Sequence, residues 1–156
     1  MQKKSDVFLV IITIILVGVL IGGFIYDRNS ALLARTNYFP INEDQNLEVV
    51  KMEKAGFLYM RSGYQAKIRI KNGAADHYIV EIAQTYGGQG RLFDYAQYQE
   101  YSADVLAKAT LKPNPAQDSF VWVLGVPLSP TTTENIVYII SVENDGAYLY
   151  MYYSRK

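Results

Sequence analysis

The chain contains no cysteine and only one histidine, His77. Without cysteine there can be no disulfide scaffold, no thiol nucleophile and no cysteine-ligated zinc or iron–sulfur site. One histidine excludes a multi-histidine metal centre. An excess of charge of either sign is lacking as well: 15 Lys and Arg stand against 15 Asp and Glu. That balance excludes nucleic-acid binding by bulk positive charge. The nucleophile patterns GxSxG and SxxK are missing, as is the metalloprotease pattern HExxH. The expectation is therefore a protein that is not an enzyme and carries no cofactor or metal. What the 156 residues do hold is a 50% apolar content crowded toward one end, and 14 tyrosines. The length suits one domain, or one domain with an appendage.

From Val7 to Tyr26 the chain reads VFLVIITIILVGVLIGGFIY, without a charge. As a helix rising about 1.5 Å per residue, such a run matches a hydrocarbon core of roughly 30 Å. It is longer than the apolar stretch of a cleaved signal peptide, and no A-x-A site follows it. The sequence thus predicts a retained single-pass anchor, a transmembrane helix over 7–26 behind a short basic tail over 1–6. Lys3 and Lys4 precede it, and Arg28 and Arg35 follow. The tight lysine pair favours a cytoplasmic N-terminus and a C-terminal domain outside the cell membrane. Gly18 and Gly22 form a GxxxG, a spacing that lets two membrane helices approach closely and self-associate.

Residues 27–46 read as a juxtamembrane helix over 27–38 and a polar linker broken at Pro40. The domain proper then covers 47–156, and its pattern is mostly of period two. Strands are expected at Leu47–Lys54, Phe57–Arg61, Tyr64–Lys71, Tyr78–Thr85, Phe120–Val126, Asn135–Val142 and Ala147–Tyr153. Lys71-Asn72-Gly73 and Glu143-Asn144-Asp145-Gly146 both carry hairpin chemistry. Phe120–Val126 is apolar on both faces, as in a central strand covered on each side. Arg91–Ala109 reads as one amphipathic helix. The fold class expected is α+β: a transmembrane helix, then a largely antiparallel sheet with one covering helix.

Four features outside the anchor invite a chemical reading. Asp76-His77 is an acid–histidine pair beside a turn, where a surface histidine is the ordinary outcome. Tyr86-Gly87-Gly88-Gln89-Gly90 mimics a phosphate loop but lacks the lysine and hydroxyl residue such a loop needs. Lys67, Arg69 and Lys71 alternate with Ile68 and Ile70, which places three cations on one face of a strand. Tyr148, Tyr150 and Tyr152 share one strand face, and Leu149, Met151 and Tyr153 the other. Because Leu149 and Met151 are the better core residues, the three tyrosines are expected to face outward. With the three cations they form the candidate interaction surface.

The layout of basic leader, apolar helix from Val7 to Tyr26, amphipathic extension and β-rich domain is similar to that of type IV pilins and pseudopilins. The resemblance implies a filament subunit. The chain departs from the pattern at Asp6, where those proteins carry glycine, and at Ile11, where they carry glutamate. The principal expectation is a non-enzymatic accessory or assembly subunit of a larger cell-envelope complex. Its partners would be the lipid bilayer and other membrane or envelope proteins, with no nucleic acid. The alternatives are a membrane-anchored ligand-binding or sensing module and a divergent filament subunit.

Overall fold

The computed structural model describes residues 10–23, 45–55, 63–127 and 134–155. A helix, α1, covers residues 10–23. The domain follows as β1 (Leu47–Ala55), β2 (Gly63–Ile70), α2 (Ala75–Tyr86), β3 (Arg91–Phe93), α3 (Tyr95–Val105), β4 (Val121–Pro127), β5 (Glu134–Glu143) and β6 (Gly146–Arg155). The six strands form one open sheet in the order β1-β2-β6-β5-β4-β3, and every neighbouring pair is antiparallel. The architecture is α+β.

Local chemistry explains the path. Glu143 pairs with Gly146 across the two-residue turn Asn144-Asp145, so this signal does make the β5–β6 hairpin. The other turn signal works differently. Asn72 and Gly73 adopt positive φ of 57° and 66°, and the chain leaves β2 into α2, not into a second strand. The strand expected at Tyr78–Thr85 is thus a helix. Its β-branched Ile79, Val80 and Ile82 favour a strand locally, but tertiary packing outweighs such modest propensity differences. Tyr78 and Ile82, four apart, are the buried pair on its inner face.

The helix expected over Arg91–Ala109 is likewise divided. Asp94 takes an extended backbone, accepts a hydrogen bond from the Gln97 amide at 2.8 Å, and donates its own amide to Gln97 Oε1 at 3.2 Å. This reciprocal cap starts α3 at Tyr95 and releases Arg91–Phe93 to pair with β4. The expected strand Phe57–Arg61 and juxtamembrane helix 27–38 lie outside the described residues.

The sheet is covered on both faces, not on one. On the α2 side a core gathers Ile68, Trp122, Ile136, Tyr138, Leu149 and Met151 against Tyr78 and Ile82. On the other side Val121, Val123, Ile139, Tyr148 and Tyr150 pack under Tyr98 of α3 and Leu106 and Leu111 of the segment after it. Val121–Leu124 are buried on both faces as expected for a covered strand, although β4 lies one place in from the β3 edge. Phe120, just before it, is 65% exposed.

Candidate docking site at an open sheet edge

The structure brings the tyrosine row and the basic stripe together, and it corrects the expected exposure of the tyrosines. β6 lies inside the sheet, between β2 and β5, so both of its faces are covered. Tyr148 and Tyr150 are each 1% exposed, and Tyr152 is half-buried. Lys67 lies opposite Tyr150 and Arg69 opposite Tyr148 in the β2–β6 register. Lys67 Nζ sits 3.9 Å from the Tyr148 ring centroid and donates to Glu143 Oε2 at 2.9 Å. The Tyr150 hydroxyl donates to Glu143 Oε1 at 2.5 Å, and the Asn114 amide donates to the same oxygen at 3.0 Å. Arg69 donates to the Tyr148 hydroxyl at 2.8 Å, and that hydroxyl donates to Asp145 at 2.7 Å. The Tyr152 hydroxyl donates to the Leu111 carbonyl at 2.6 Å. Lys71 is drawn off to Glu48 at 3.2 Å.

These contacts tie β2, β5, β6 and the segment after α3 into one layer. Burial pushes the Tyr98 phenol up to about 12. Burial, reinforced by the Glu143 carboxylate, holds Tyr150 far above the ordinary phenol range, and burial does the same to Tyr152. The Tyr148 hydroxyl lowers Asp145 and raises Arg69. The arrangement holds the sheet's second face together and leaves no tyrosine row displayed.

The other motifs resolve plainly. His77 projects from the first turn of α2 beside Glu81, at 3.6 Å. Gly87, at φ 67°, caps α2. Gly90 adopts φ +65° with the Trp122 indole so close that a Cβ would lie 2.4 Å from it. Trp122 Nε1 donates to the Gln89 carbonyl at 3.3 Å. The glycine run is therefore a helix end and a seat for Trp122. Among the described residues, no three His, Asp or Glu side chains gather as a metal site. Gly18 and Gly22 lie on α1, where a Cβ on Gly18 would meet nothing within 4 Å.

The feature that sequence reasoning missed is the β3 edge. Folding Arg91–Phe93 into the helix hid it. The Asp94-x-x-Gln97 capping pattern would have exposed it. β3 ends the sheet, and its outer side has no strand partner among the described residues. Clefts flank it on both faces. On the α3 side a cleft of about 500 Å³ is lined by Phe93, Tyr101, Glu100 and Asp104 together with Arg91. On the α2 side one of about 460 Å³ is lined by Ile79, Val80, Leu92 and Trp122. Leu92 is 66% and Val80 52% exposed. An open strand with a cleft on each side suits an added extended strand, whose side chains alternate between the faces. Comparison with family models gives no match, and comparisons with curated proteins and with solved structures give none either.

Proposed function

We propose that this protein is a non-enzymatic single-pass membrane protein, an assembly or accessory subunit of a larger envelope complex. In this reading α1 belongs to the anchor, and the domain docks other protein through its open edge. The observation that carries it is the surface of α1. Ten Val, Ile and Leu side chains of residues 10–21 are between 40% and 65% exposed. A helix apolar all round is at home in lipid, and in water it would leave a surface that soluble proteins do not tolerate. The described helix spans about 21 Å, and no helix among the described residues is long and apolar enough to cross a membrane. The uncharged sequence continues on both sides of it, from Val7 to Tyr26. At about −0.3 to −0.6 kcal/mol each, the ten side chains favour insertion by roughly 3 to 6 kcal/mol.

The test is membrane extraction followed by co-purification. Full-length protein should stay in the membrane pellet through an alkaline carbonate wash and leave it only with detergent. Isolation in a mild detergent should then recover it in an assembly. Release by carbonate would refute the anchor. Recovery as a lone monomer would refute the subunit reading.

A further inference from the structure

We infer that the partner at the β3 edge is a second copy of this chain, joined β3 to β3 about a twofold axis. The inference rests on reading the domain as a docking module, and it names the occupant. Its first support is the contrast between the two edges of the sheet. β1 is guarded in the ways natural edge strands are: its ladder is interrupted between Val49 and Lys51, and Glu48, Lys51 and Glu53 line it with charges held in ion pairs. β3 has neither the interrupted ladder nor charges held in ion pairs among the described residues. It presents one cation, Arg91, and a bare Leu92.

The second support is self-complementarity. Arg91 pairs with Val123, whose side chain faces α3, and Leu92 pairs with Trp122, whose side chain faces α2. A twofold axis perpendicular to the sheet keeps each face on its own side, so one antiparallel sheet would run through both copies. With Leu92 opposite Leu92, Arg91 of one copy falls opposite Phe93 of the other, on the α3 side. There it enters the cleft that carries Glu100 and Asp104. None of these three charges has an ion-pair partner among the described residues. On the α2 side the two Leu92 side chains meet, between the exposed Val80 of each copy. Each copy thus offers a cation and an apolar residue in the alternation that the clefts beside its own edge accept. Such an isologous contact closes at two copies and leaves only the guarded β1 edges at the two ends of the joined sheet.

The absence of native cysteine makes the test clean. Directly opposed residues of an antiparallel pair lie about 4.5 to 5.5 Å apart between Cα atoms, inside the range a disulfide bridges. Full-length Leu92→Cys protein in membranes, under mild oxidation, should form a species of twice the chain's mass. Val50→Cys, exposed on the opposite edge, should not. Both positions are more than half exposed, so neither substitution threatens folding. Introducing Arg91→Glu into Leu92→Cys should reduce the linked species about tenfold, and adding Glu100→Arg should restore it. A Leu92→Cys chain that stays single would overturn the inference. So would equal linking of Val50→Cys, or linking of Leu92→Cys to a protein of another mass. In each of those cases carbonate resistance and recovery in an assembly would still stand or fall by themselves.

Discussion

Glu143 is the acceptor on which the second face of the sheet closes, taking bonds from Lys67, Tyr150 and the Asn114 amide. Tyr150→Phe removes one donor but keeps the ring between Tyr148 and Tyr152. It should cost about 1 to 2 kcal/mol in denaturant unfolding. Tyr150→Ser removes a buried aromatic as well and should cost roughly 3 kcal/mol or more. A serine variant within about 0.5 kcal/mol of the parent would mean that this face is open to water. Alkaline pH tests the same layer. Tyr98 is pushed up to about 12, with Tyr150 and Tyr152 also raised, whereas an unfolded chain's tyrosines titrate near about 10. The folded state therefore disfavours ionisation. Its stability is fully present below about pH 10 and is lost as pH rises through the folded values, with each tyrosine contributing up to about 1.4 kcal/mol per pH unit. The melting temperature should fall steadily above about pH 10, and less steeply in Tyr150→Phe; a flat profile would contradict the burial. The alternation of Tyr148, Tyr150 and Tyr152 was legible in the sequence. Their burial was not, because it depends on β2 and β5 flanking β6, and β2 lies some 80 residues away along the chain.

Elements were legible where period two was clear, as in β1 and β2, and where turn chemistry agreed with it, as in the β5–β6 hairpin. They were not where a short local signal opposed a longer pattern. α2 carries β-branched residues yet is set by Tyr78 and Ile82 meeting the sheet. β3 is only three residues long and is defined by the cap that follows it. Asp94→Ala should weaken that cap by about 1 kcal/mol, with the emission of the single tryptophan unchanged. Gly90→Ala should do more harm. It places a Cβ against the Trp122 indole in a backbone conformation of φ +65°, so it should destabilise the domain further and shift the tryptophan emission. Equal losses from the two variants, with no spectral change in either, would show that Trp122 does not rest on this turn.

At the scale of the whole molecule, the buried residues of the two core clusters among the described residues run from Leu47 onward. None of α1 contributes. A fragment of residues 45–156, which keeps every described residue of both clusters, should therefore unfold at the same denaturant midpoint as the full chain in detergent. A lower midpoint for the fragment would mean that the N-terminal segment braces the domain. In the proposed reading, the anchor's effect belongs to location and association. Held in one membrane, copies meet at a raised effective concentration, so a three-residue edge that pairs weakly in dilute solution can pair well on the membrane. Orientation decides which other proteins the domain can meet. Lys3 and Lys4 are adjacent just before the apolar run, whereas Arg28 and Arg35 are spread over a longer stretch after it. Acidic residues count for little in setting orientation, so the bias rests on the tight pairing of the two lysines. For the proposed anchor it predicts a domain outside the membrane. Protease added to intact spheroplasts should remove the domain and leave a membrane-held N-terminal remnant. A domain that is protected until lysis would reverse the orientation and confine the domain's other partners to the cytoplasmic side.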